Sequence, residues 1–149
     1  RRLPESPSAC TPQPAAAQIK TIDDVTNYRR RSSLLLSGTV IEQDMIVKGD
    51  LNLADRVAIH GDVRCQGRAV IGKDSVILGD VFAEGPIEIM HNAVVFGNLF
   101  SQDSVQLYPG VRIGQVGRIK SIIAKKRIIV DRNVAIFGYV LTEGKGLVL

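Results

Sequence analysis

The chain has 149 residues, a net charge of +4, 14 glycines, no tryptophan and seven aromatics, while valine and isoleucine together fill 33 positions. That length suits one domain with a buried core, and so much glycine and β-branched residue favours strands and turns over helices. Two cysteines and two histidines cannot furnish a four-ligand zinc site from cysteine alone or from histidine alone, a disulfide framework is not expected between Cys10 and Cys65, and no apolar run exceeds four residues, too short to span a bilayer.

Residues 1–36 read as a disordered, partly helical tail. Four of the six prolines lie within residues 1–18, and a short helix is expected over residues 19–31, with Ile19, Ile22 and Tyr28 partly on one side. The chain begins at Arg1 rather than Met, as expected of a fragment or a processed form. Arg29, Arg30 and Arg31 run into Leu34, Leu35 and Leu36. Such a segment suits an anionic membrane surface, where the arginines attract headgroups and the leucines bury at their boundary. It also suits a cap over the first coil of the domain that follows, and the two roles need not exclude each other.

Residues 37–149 carry a repeat of six. Gly49, Gly61, Gly67, Gly79, Gly85 and Gly97 share one phase, and turn-tolerant Asp55, Lys73, His91, Asp103 and Pro109 fill the intervening slots. Counting each rung from its turn slot, with Gln43 first, 22 of the 24 residues at rung positions three and five up to Ile113 are apolar, Cys65 included; Ser75 and Ser101 are the departures. Glycine is expected at the corners because it accepts positive φ. The phase then slips by one. A rung restarting at Gly114 would place Val116 and Arg118 inward, and later turn slots fall at Lys120, Lys126, Arg132, Gly138 and Gly144.

Positions three and five face the same way along a strand, and a turn every six residues prevents conventional hairpins. Three rungs per circuit predict an all-β, single-stranded triangular β-solenoid of about six coils and eighteen rungs, with inward side chains stacked from coil to coil. At ~4.8 Å per coil the stack is about 29 Å tall. A β-sandwich would place turns every 8–12 residues without holding one phase.

Three successive segments open Gly-[Asp/Asn]-[Val/Leu]: Gly61-Asp62-Val63, Gly79-Asp80-Val81 and Gly97-Asn98-Leu99, preceded by Gly49-Asp50-Leu51. With their coil length of 17–18 residues they resemble the bactofilins, the bacterial polymer-forming cytoskeletal family, over residues 38–149. The resemblance implies a right-handed β-helix that self-assembles end to end into non-polar, nucleotide-independent filaments. It also implies a cytoplasmic location peripheral to the inner face of the cell membrane, where filaments position cell-wall enzymes or other client proteins. The hexapeptide helices of acyltransferases and γ-class carbonic anhydrases are a rival, and Val70-Ile71-Gly72-Lys73-Asp74-Ser75 is similar to one of their repeats. Few of the residues after the aliphatic position are small as that pattern requires. A non-polymerising accessory subunit of a larger complex is the other alternative. The Arg-rich start leaves an organellar location open.

No catalytic constellation is expected, nor any cofactor, metal or nucleic-acid partner. His60 and His91 fall at different corners or faces. Asp50, Asp62, Asp74 and Asp80 sit beside turns, where aspartate bonds its own backbone, although Asp62 and Asp80 could also stack. Cys65 falls in an inward column, as a small hydrophobe would. Net charge is +3 over residues 1–37, −4 over 38–113 and +5 over 114–149. Lys120, Lys126 and Arg132, with Lys125 and Arg127, form a basic belt over three corners. The apolar final coil is the expected polymer interface, through Ile136, Phe137, Tyr139, Leu141, Leu147 and Leu149. Phe82, Phe96, Phe100 and Tyr108 lie outside the inward columns and are further candidates for contact between subunits.

Overall fold

Three six-residue rungs complete one circuit, so equivalent residues stand eighteen apart and pair along the stack. A computed structural model describes residues 37–149; the helix expected over 19–31 and the Arg29–Leu36 segment lie outside the described residues. The first coil holds β1 (Val40–Ile41), β2 (Met45–Val47) and β3 (Leu51–Asn52). The second and third hold β4 (Ala58–Ile59), β5 (Val63–Cys65), β6 (Ala69–Ile71), β7 (Val76–Ile77), β8 (Val81–Ala83) and β9 (Ile87–Ile89). The fourth holds β10 (Val94–Val95), β11 (Leu99–Ser101) and β12 (Ser104–Leu107), and the fifth β13 (Arg112–Ile113), β14 (Lys120–Ala124) and β15 (Arg127–Val130). The sixth holds β16 (Ala135–Ile136), β17 (Gly138–Thr142) and β18 (Lys145–Val148).

Each strand pairs in parallel with its equivalent on the next coil: Val40 with Ala58, Met45 with Val63, Leu51 with Ala69. The result is three six-stranded sheets, each taking every third strand in order along the stack. The chain is thus an all-β triangular β-solenoid of six coils, with no helix among the described residues.

All 24 residues in the two inward columns from Met45 to Ile113 are buried. A fully buried Val, Leu or Ile contributes ~1.5–3 kcal/mol, and this stack supplies the core. Its polar members are bonded. The Ser75 hydroxyl accepts from Val57 N–H and donates to the Ala54 carbonyl, while Ser101 donates to the Gly85 carbonyl. The buried Cys65 thiol donates to the carbonyl of Gly49.

Of the corner glycines, Gly49 and Gly138 take positive φ, at +153°, as the repeat suggested, but most serve a different purpose. Positive φ is absent at Gly61, Gly67, Gly79, Gly85 and Gly97. Their backbones instead pass against the coil before them: a Cβ on Gly79 would lie 2.1 Å from Asp62 Oδ1 and 2.6 Å from the Gly61 carbonyl oxygen. Positive φ is concentrated at another corner, between the β3 and β4 rungs, at Arg56, Asp74, Asn92, Gly110 and Asn133. These are the third residues of tight turns, closed at Gly72–Ser75, Met90–Ala93 and Tyr108–Val111.

The aspartates also differ from expectation. Asp50, Asp62 and Asp80 bond the next coil rather than their own turn. Asp62 N–H donates to Asp44 Oδ1 at 2.8 Å, Asp80 N–H to Asp62 Oδ1 at 2.7 Å and Asn98 N–H to Asp80 Oδ1 at 2.7 Å. Asn98 Oδ1 continues the ladder by accepting from Ser121 N–H. Asp50 and Asp55 play the same part for Arg68 and Lys73. Each carboxylate satisfies a corner amide that the sheets leave unpaired.

The phase slip at Gly114 is an insertion rather than a short rung. Leu99 pairs with Ile122, Ser104 with Arg127 and Arg112 with Ala135, so the offset grows from 18 to 23, by five residues. Five added residues shift a six-residue phase as one deleted residue would. The extra residues form a loop closed by an antiparallel bridge between Gln115 and Arg118, and Val116 and Arg118 are exposed instead of inward. Eighteen strands survive because β1 precedes the first rung counted from Gln43.

Two pairs of substitutions test this account by thermal and urea denaturation. Gly79→Ala should cost roughly 2–3 kcal/mol by crowding backbone against backbone, whereas Gly146→Ala, with open space around it, should change stability by less than about 0.5 kcal/mol. Asp62→Ala should cost about 1–2 kcal/mol by orphaning the Asp80 amide. Asp62→Asn, which keeps the acceptor as Asn98 does, should be nearly neutral.

Candidate assembly surface

Every interior coil of a solenoid is covered twice, and the last coil only once. Among the described residues β17 pairs only with β14 and β18 only with β15, so each presents a row of backbone groups to one side. These edges run five and four residues, against three and two for β2 and β3 at the other end. Long apolar edges of this kind are templates for further strand pairing.

The side chains agree with the backbone. Val140 pairs with Ile122, yet Val140 is 44% exposed and Ile122 fully buried, because nothing covers the final coil. Val148 is 76% exposed for the same reason. Of the predicted interface residues, Tyr139, Leu141, Leu147 and Leu149 are exposed, with Tyr139 at 63%. Ile136 stands half-buried over Ile113 and packs against the core. Phe137 is half-buried too, its carbonyl accepting from Lys120 N–H. At the other end of the stack Ile41, Met45 and Val47 are at most 1% exposed. The two ends are therefore unlike.

Ten large hydrophobic residues are exposed among those described, and all except Ile46 and Leu78 belong to the last coil or to the inserted loop. The loop is the part of this surface that the repeat frame missed. Val116 and Ile119 protrude from it, and with Phe137, Gly138 and Tyr139 they line a groove of about 320 Å³. Two closely spaced glycines, Gly114 and Gly117, at the break in phase were the available signal. Both take positive φ.

A second apolar strip descends the side of the β17 sheet. Leu141, Ile123, Phe100 and Phe82 stand in register on successive coils. The two phenylalanine rings are 6.5 Å apart, and the Arg64 guanidinium lies 6.0 Å over Phe82. A groove of about 550 Å³ opens beside them, rimmed by Gln102, Lys125 and Glu143. Phe96 and Tyr108 also point outward and are half-buried.

Lys126 and Arg132 fall at different corners while Lys120 opens β14, and Lys126 pairs with Asp103 at 3.7 Å. Lys125, Lys126, Arg127 and Lys145 share one corner near the open end, with Lys145 stacked on Arg127. His60 is exposed, and His91 faces Tyr108 with ring centres 5.6 Å apart. No cluster of three His, Cys, Asp or Glu side chains suited to a metal occurs among the described residues, and they contain no helix long and apolar enough to cross a membrane. Arg29, Arg30, Arg31, Leu34, Leu35 and Leu36 lie outside the described residues. No family model, curated protein or solved structure matches this chain.

The contrast between two residues of one column gives a direct test of the open end. Val140→Lys should cost less than about 1 kcal/mol, because its ammonium reaches water. Ile122→Lys, one coil below, buries an unpaired charge and should cost more than about 4 kcal/mol or prevent folding. Circular dichroism melts of the two variants measure the difference.

Proposed function

We propose that this chain is a non-enzymatic scaffold subunit that self-assembles end to end through its C-terminal coil, forming nucleotide-independent filaments at a membrane surface and positioning client proteins there. One observation carries the reading: exposed apolar side chains and unpaired strand edges coincide at a single end of the solenoid. Only a second solenoid end offers strand edges on all three sides of a triangle at once. The resemblance of the Gly-[Asp/Asn]-[Val/Leu] coils to bactofilins supports the same role, and the basic corner near the open end suits an anionic surface.

Because the core of the first coil is buried, the open ends of two copies meet each other in an isologous contact. Growth into filaments then uses the edges β1, β2 and β3, which end their sheets among the described residues. A second reading, a discrete pair rather than a filament, is favoured by that same burial of Ile41, Met45 and Val47.

Negative-stain microscopy and sedimentation of the purified chain without nucleotide decide between them. Filaments are expected, and Val140→Lys should abolish them while leaving the fold intact. Pairs that never elongate would establish the second reading. A monomer at every concentration would overturn both.

A further inference from the structure

The inserted loop is the one departure from the eighteen-residue offset among the described residues, and it stands beside the open end. Its path is fixed rather than slack: Gly114 and Gly117 take φ of +78° and +84°, and Arg118 N–H donates to the Gln115 carbonyl at 3.0 Å. A Cβ on Gly114 would meet the Phe137 carbonyl oxygen at 3.0 Å, so the base of the loop is held directly against the last coil. From that base it presents Val116 at 83% exposure and Ile119 at 63%, two β-branched apolar side chains with nothing over them.

An insertion at a solenoid corner does not need apolar tips. A polar turn would close the same gap and leave the coils on either side paired as they are. We propose that residues 114–119 form an arm that grips a second copy of this chain, Val116 and Ile119 packing on the partner's last coil when two open ends meet. The occupant follows from continuity. The groove under the arm is lined by Phe137, Gly138 and Tyr139 of the very coil whose edges await a partner, so what covers those edges also meets the arm. In an isologous contact the arm is used twice, once from each copy. This inference rests on the end-to-end reading.

The fold provides a clean variant. Deleting residues 115–119 removes five residues and restores the offset of 18 that the earlier coils keep, so the shortened chain should fold as an uninterrupted solenoid. Sedimentation equilibrium of the deletion should show self-association weakened roughly tenfold or more, with an unchanged circular dichroism spectrum. The double variant Val116→Asp/Ile119→Asp, which keeps the loop backbone, should lose as much and decides the matter if the deletion misfolds. Wild-type chains that associate while both variants associate equally tightly would overturn the arm and leave the end contact standing. Wild-type chains that stay monomeric would overturn the end contact and the arm with it.

Discussion

Each coil must lie on the one before it at the spacing of paired parallel strands, ~4.8 Å, and that constraint governs every part of this molecule. On the flat sides the spacing is satisfied by backbone hydrogen bonds. At the corners the chain turns away from the strand ladders, and single bonds such as Gly79 N–H to the Gly61 carbonyl draw one backbone directly against the next. Gly79 against Gly61 shows the steric half of the problem: the approach leaves no room for a Cβ. The Asp44–Asp62–Asp80–Asn98 ladder shows the polar half, since each side chain reaches up to an amide that would otherwise be orphaned. Glycine and aspartate therefore recur together as Gly-Asp. One makes the approach possible and the other satisfies it.

The same constraint explains how the repeat could be read before the structure. A column of side chains stacked at fixed spacing admits apolar residues of similar reach, so Ile59, Ile77, Val95 and Ile113 had to recur in phase. The architecture and the inward columns followed from that recurrence. The purpose of the glycines did not, because a sequence shows that a position excludes a side chain without showing whether φ or a neighbour excludes it. The positive-φ corner was obscured for a related reason: Arg56, Asp74, Asn92 and Asn133 share a backbone conformation but little chemistry. At Gly114, phase arithmetic cannot separate one lost residue from five gained. Pairing separated them.

For the assembly surface, the apolar character of the last coil was legible, but its division between core and surface was not. Ile136 and Val140 look alike in the repeat frame. Ile136 leans on the core while Val140 looks outward from the stack, a difference set by how far the last coil closes over the fifth. The burial of the first coil could not be read from its own pattern, which is as apolar as any other.

A solenoid of equivalent coils has little in its interior to distinguish one face or height from another. Specificity must come from what breaks the repetition. A triangular end is close to threefold degenerate, and three rotations would bring edges over edges. Here the degeneracy is removed twice. The terminal strands are two, five and four residues long on the three sides, and an arm stands at one corner only. The five-residue insertion costs the fold little because it leaves every ladder on either side intact: β11 still pairs with β14 and β13 with β16. A corner beside the open end is thus where a regular stack can acquire a distinctive contact without disturbing the pairing that holds it together.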